Sequence, residues 1–313
     1  MSARRPTIGV DRIVALVALS VAVGLLIKIM GLDAMARPVR LSAICASGVA
    51  LGAAIAMLWR RTAWLSSLAF LMAGGLAFEL VVAHEDRVYS ELMIGAAVVA
   101  GWAFGALMAR FAATNGRSRG VQESAGHQGV IGAMAAVWAL AAISKILDGG
   151  GAWVGPGTVW HVVLAHVDVS VAADQRSALA SVLLQPQVAT GLAALVLATE
   201  ASAPLLLWRG RPRQVVTIAL ALVHVGLSFV GMLHVPIALM ILGIGLAPPA
   251  PRLRWRSRRA LIQTGAVSAL LVTLVWLLPI DRWMAVSSNR RSKGWHIKSA
   301  PRAMPDKPHA QRR

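Results

Sequence analysis

Four ionisable residues stand inside long apolar stretches of this 313-residue chain: Glu79, Lys145, Glu200 and His224. Carboxylates, an amine and an imidazole are the groups from which general acid–base chemistry is built. A charge inside a bilayer is costly enough that it faces a protein interior or a wet cavity, not lipid. Taking a rise of about 1.5 Å per residue, Lys145 and Glu79 fall within about two turns of one face, where His84 and His234 also stand. Glu200 then lies roughly 20 Å in from Pro186, and His224 roughly 16 Å in from Arg213. These depths allow an outer cavity cluster of Glu79, His84, Lys145 and His234 above a deeper Glu200–His224 pair. A plainer reading stands beside this one. Lys145 and Glu79 are near enough to the surface to snorkel or to pair with each other, and Glu200 and His224 suit a structural hydrogen bond between adjacent helices.

Other chemistries find little footing. His161 and His166 are five residues apart, which does not put them on one helical face as metal ligands, and no metal site is expected. There is no His-Glu-x-x-His and no glycine-rich nucleotide loop. No serine or cysteine carries a nucleophile motif. Cys45 is the only cysteine, which excludes an internal disulfide, a thiolate cluster or a Cys-x-x-Cys pair; its place in an apolar run reads as packing.

The elements that position these residues are membrane helices. Hydrophobic residues make up 57% of the chain and charged residues 14%, against about 25% charged in a soluble domain; mean hydropathy is +0.67. Too few polar groups are present to cover a water-soluble particle of this size. The apolar residues come in continuous runs of about 20, the length that crosses a bilayer core as a helix, and backbone in lipid must satisfy its own hydrogen bonds. The fold class is therefore all-α, a polytopic membrane helix bundle. Candidate spans are 10–31, 39–59, 62–83, 90–112, 129–147, 187–208, 214–232, 234–248 and 261–280, so eight or nine transmembrane helices occupy 1–281 and a basic tail follows at 282–313. The eighth is short and begins just before Pro236, as a tilted helix or half of a broken hairpin would.

A formal net charge of +18 suggests nucleic acid in a soluble protein. Here the arginines sit in short connections and in the tail, where they fix topology and meet anionic lipid, so no nucleic-acid partner is expected. Arg60 and Arg61, Arg110 with Arg117 and Arg119, Arg209 with Arg211 and Arg213, and Arg252 to Arg259 follow spans two, four, six and eight, while 148–186 is net acidic. The positive-inside rule then places the even-numbered connections and the N-terminus in the cytoplasm. Nine spans would carry the basic tail outside, against the same rule, which keeps eight spans open. Arg4, Arg5 and Arg12 ahead of 13–27, with Ala34-Met35-Ala36 after it, also read as a secretory signal; Lys28 ends the apolar run before that cleavage motif and favours a retained span.

Gly48-Val-Ala-Leu-Gly52 and Gly101-Trp-Ala-Phe-Gly105 set small residues one turn apart, which lets helix backbones approach closely. The long connection 148–186 opens with Asp148-Gly-Gly-Gly-Ala-Trp-Val-Gly-Pro-Gly157 and continues as an apolar run interrupted by His161, His166, Asp168, Asp174 and Arg176. That pattern suits a helix lying in the interface or re-entering the protein, with Trp153 and Trp160 at headgroup depth.

Several of these segments, in this order and spacing, resemble the HTTM domain, the membrane part of vitamin K-dependent γ-carboxylases and of compact bacterial proteins. Ala141-Ala-Ile-Ser-Lys145-Ile-Leu-Asp148 followed by Trp153-Val-Gly155 is similar to the family's lysine-bearing helix end. Glu200-Ala-Ser-Ala-Pro204-Leu-Leu-Leu207 resembles its acidic helix, and His224 ahead of His234-Val-Pro236 its histidine helix and aromatic-proline step, with His234 standing where an aromatic is usual. His84-Glu-Asp-Arg-Val-Tyr89 and Leu278-Pro279-Ile-Asp-Arg282 with Trp295 extend the likeness over about 80–295. The chain ends where the carboxylases continue into a large lumenal domain, so the part that grips a protein substrate has no counterpart.

In the carboxylases the matching lysine is the base linked to oxygenation of reduced vitamin K. The resemblance therefore implies a catalytic set of Lys145, Glu200 and His224 and a reduced quinone as cofactor, in quinone-linked carboxylase-type or peptide-maturing chemistry at the outer half of a bacterial plasma membrane. A base lysine must be available in neutral form, which desolvation favours and a carboxylate such as Glu79 opposes. Besides the lipid bilayer, the partners implied are a quinone or a secreted peptide. Two other classes stay open: a non-enzymatic accessory protein or small-molecule carrier whose buried charges are structural, and a quinone-associated oxidase subunit.

Overall fold

The computed structural model describes residues 9–31, 35–59, 63–82, 90–111, 119–159, 181–183, 185–229 and 235–247. Among them there is no strand. Eight α-helices have at least 11 residues: α1 (Val10–Met30), α2 (Arg37–Met57), α3 (Ala63–Val82), α4 (Ser90–Phe111), α5 (Arg119–Gly149), α6 (Pro186–Ala201), α7 (Arg211–Phe229) and α8 (Val235–Gly245). Four segments within helices, Val10–Met30, Arg37–Met57, Ser124–Leu147 and Pro186–Leu207, are long and apolar enough to cross a membrane. Large apolar side chains such as Leu16, Ile27, Leu41, Met72, Leu147 and Leu222 point outward. Outward-facing leucine and isoleucine on so many helices is compatible with a protein solvated by lipid. The ninth apolar run at 261–280, the tail at 282–313 and most of 148–186, including the interfacial or re-entrant helix expected there, lie outside the described residues.

Helix boundaries follow local chemistry. Pro38 and Pro186 stand in the first turns of α2 and α6, where a missing N–H costs nothing. α6 stops at Ala201 because Pro204 has no N–H to give the Glu200 carbonyl; a 3₁₀ turn, Ala203–Leu207, carries the chain on. Gly210, at φ 93°, then takes the left-handed turn that only glycine enters freely, and its carbonyl accepts the Gln214 N–H at the start of α7. α8 is only 11 residues and packs on α7.

α5 departs most from the hydropathy reading. It begins at Arg119, ten residues ahead of the expected span at 129, and is 31 residues long. Gln122, Glu123, His127 and Gln128 depress hydropathy, yet none of them breaks a helix, and His127 and Gln128 are buried. Glycines hold this part of α5 against α4. A Cβ at Gly129 would stand 1.9 Å from the Gly101 carbonyl oxygen, and one at Gly105 would stand 2.2 Å from that of Ala125. The Gly101–Gly105 spacing is thus a packing device. A Cβ at Gly48 or Gly52 would have nothing within 4 Å, so the same spacing on α2 joins no helices among the described residues. Cys45, read from sequence as packing, is exposed on α2.

Around α5 the bundle closes through α4 on one side and through α6, the 203–207 turn and α8 on the other. α7 packs against α6, α8 and the 203–207 turn, and α1 lies against α2, α3, α4 and α8.

Candidate functional site

Lys145 lies in the last turns of α5, four residues before Gly149, and Glu200 lies fourteen residues into α6. The Lys145 amine donates to both carboxylate oxygens of Glu200 and forms an ion pair with it. α5 and α6 run in opposite directions at this point. Beyond Glu200 the chain reaches the earlier part of α5, where Arg213, bonded to the Leu206 carbonyl, meets Gln128. Side chains on a helix lean toward its N-terminus, so in antiparallel neighbours Lys145 and Glu200 lean toward each other. That leaning closes the difference in depth between their backbones.

A third group completes the pair. Trp153, in the 3₁₀ turn Gly150–Val154 that follows α5, places its ring centroid 5.0 Å from the Lys145 amine, within the range of a cation–π contact. The turn is pinned from behind, since the Thr158 hydroxyl donates to the Trp153 carbonyl at 2.7 Å and the Gly155 N–H to Ala152. The Lys145 side chain is 24% exposed and that of Glu200 11%. The lysine side chain is therefore the more exposed member and the glutamate the more buried one.

His224 stands on α7 against α5. The Trp138 indole N–H donates to His224 Nε2 at 3.1 Å, the rings meet edge to face at 5.7 Å, and the Ser228 hydroxyl donates to the His224 carbonyl. Indole is a donor only, so Nε2 accepts and the imidazole proton of this arrangement is on Nδ1. Trp138 is two turns before Lys145 on the same face of α5, about 10 Å along the axis.

The structure thus brings Lys145 and Glu200 into direct contact and puts His224 about two helical turns away on the same side of α5. Of the outer cluster, Glu79 lies on α3 but its side chain is outside the described residues, as are His84 and His234. Among the described residues no three His, Cys, Asp or Glu side chains gather as metal ligands. Three features escaped the sequence reading. Trp138 falls seven residues before Lys145, a helical-face spacing that pattern alone offered. Pro204 falls four residues after Glu200, which ends the helix at the site. His127, Gln128 and Arg213 form a buried polar group at the other end of α5, cut off by the hydropathy boundary.

No family model, no curated protein and no solved structure matches this chain.

Proposed function

We propose that this chain is a multi-pass protein of a bacterial plasma membrane, with eight or nine spans, in which Lys145 acts as a base toward the acidic hydroxyl of an apolar substrate near the outer face. The observation that carries this reading is the Lys145–Glu200 pair: an amine and a carboxylate from two apolar helices, in contact, with the amine on the more exposed side beside an indole ring.

A charged pair held away from water loses much of its solvation. The neutral form, with the proton on Glu200 and a free amine on Lys145, then lies closer in energy to the charged form than it does in water. Neutral Lys145 accepts the hydroxyl proton, Glu200 holds the proton that the lysine gave up, and both return when the substrate leaves. His224, whose Nε2 accepts the Trp138 N–H, lies on the deeper side of the same α5 face. Trp153 offers an aromatic face next to the amine, a set of groups that fits a flat ring carrying an acidic hydroxyl. A reduced quinone supplies such a hydroxyl, together with reducing equivalents. The resemblance of 141–148, 200–207 and 224–236 to HTTM proteins supports the same assignment of Lys145, Glu200 and His224.

Mass spectrometry of quinones, lipids and peptides that co-purify with the chain in mild detergent tests the substrate class. About one quinone per chain, reduced in Lys145→Met, is the expected result. A tightly held peptide with no quinone would replace this reading with peptide maturation or carriage.

A further inference from the structure

The Lys145 amine touches two unlike partners. One is Glu200, through both carboxylate oxygens; the other is the ring of Trp153, whose centroid is 5.0 Å away. The two respond differently to the lysine proton. Glu200 stays bonded in either arrangement, as acceptor from an ammonium or, once protonated, as donor to the amine nitrogen. An indole face attracts through its quadrupole, and that attraction needs the positive charge.

The chain after α5 is what puts the ring there. Trp153 follows Lys145 by eight residues, and a straight continuation of α5 would carry it about 12 Å further along the axis. A lysine side chain leans the other way, toward the helix N-terminus. The end of α5 at Gly149 and the 3₁₀ turn Gly150–Val154, which packs on both α5 and α6, bring the ring back to the amine. Further bonds fix the backbone around the ring. The Thr158 hydroxyl donates to the Trp153 carbonyl at 2.7 Å, the Gly155 N–H to Ala152 at 3.0 Å and the Thr158 N–H to Gly155 at 3.3 Å. None of these bonds involves Lys145, so the turn keeps its place whatever the charge on the lysine.

We propose that Trp153 is a positioning residue for Lys145, whose ring holds the charged amine against Glu200 and releases the neutral one. When the proton passes from Lys145 Nζ to a Glu200 oxygen, the amine keeps its bond to Glu200 and loses the electrostatic part of its hold on the ring. The ring face it leaves is then open to a flat, apolar substrate. On the base reading of Lys145, on which this last step rests, a free base and a stacking surface become available together.

Trace acetylation with acetic anhydride tests the hold, because only a neutral amine reacts. The purified full chain is labelled in mild detergent, and Lys145 is read by mass spectrometry against Lys28 of α1 as internal reference. Tetrafluorotryptophan placed at position 153 alone keeps the shape of the ring and removes most of its attraction for a cation. Lys145 should then label about threefold faster than in wild type, and at least as fast in Trp153→Leu. Trp153→Phe, whose ring holds a cation less strongly than indole, should fall between. Should Trp153→Leu fail to fold, the tetrafluorotryptophan and Phe proteins carry the same expectation. Equal labelling in wild type and the tetrafluorotryptophan protein overturns the proposal: a rise with Leu alone makes Trp153 a steric cover, and no rise with either detaches the ring from the amine. A Lys145 that labels in none of the proteins overturns it as well. The readout needs no quinone, so a chain without quinone chemistry fails the base reading and leaves the labelling result standing.

Discussion

Lys145, four residues before the end of α5, and Glu200, one residue before the end of α6, bond to each other through their side chains. The two ends of the pair are unequal, because the lysine side chain is more exposed than that of the glutamate. Removing the amine strands a buried carboxylate, whereas removing the carboxylate charge leaves a lysine that can snorkel. Lys145→Met should therefore lower stability by about 2–3 kcal/mol and Glu200→Gln by about 1 kcal/mol, after allowing for partial exposure. The double variant should lose less than the sum, by about 1 kcal/mol or more. Thermal or denaturant unfolding in one detergent measures all three, and strict additivity would remove the pair from the account.

The Trp138–His224 bond fixes a tautomer. Nitrogen chemical shifts of His224 should show Nε2 as an acceptor and the proton on Nδ1. Trp138→Phe keeps the ring contact and deletes the donor, at a cost of about 1–2 kcal/mol. An Nε2-protonated ring in the wild type would contradict the arrangement.

Two sets of helix glycines should behave in opposite ways. Gly129→Ala and Gly105→Ala push a methyl into the backbone of the facing helix and should cost about 1–3 kcal/mol or more. Gly48→Ala and Gly52→Ala meet open space and should gain up to about 1 kcal/mol from helix propensity. Melting temperatures of the four variants decide it, and a loss at Gly48 equal to that at Gly129 would point to a contact of α2 beyond the described residues.

Topology is open to a simple labelling experiment. Cys45 is exposed on α2, so Cys45→Ala should be tolerated and give a cysteine-free background. A cysteine introduced at Ala173, in the acidic connection, should react with an impermeant maleimide from outside intact cells. Reaction only after the cytoplasm is opened would invert the whole arrangement.

Much of the helical layout could be read in the sequence, because an apolar run of about 20 residues has one stable form in lipid. α1 to α4 begin and end within two residues of the runs that announce them. The start of α5 could not be read so. Its first ten residues have low hydropathy, and what holds the described part of them, Ser124 to Gln128, buried is the glycine contact with α4 and the bonds of His127 and Gln128 to α8 and α7, all of them distant in sequence. At the site, the residue types Lys145, Glu200 and His224 stood out as charges in apolar stretches. Their pairing did not, since depth counted along the backbone ignores the N-terminal lean of side chains that brings Lys145 to Glu200 and leaves His224 to Trp138.

Oxygen consumption by the purified chain supplied with a reduced naphthoquinone tests the base role of Lys145 most directly. Wild type should consume oxygen above the rate of the free quinone, and Lys145→Met and Lys145→Arg should both fall to that background while remaining folded, because arginine keeps the charge but stays protonated. Full activity in Lys145→Arg would reduce Lys145 to a fixed positive charge, and a wild type no faster than the free quinone would contradict the quinone-linked account.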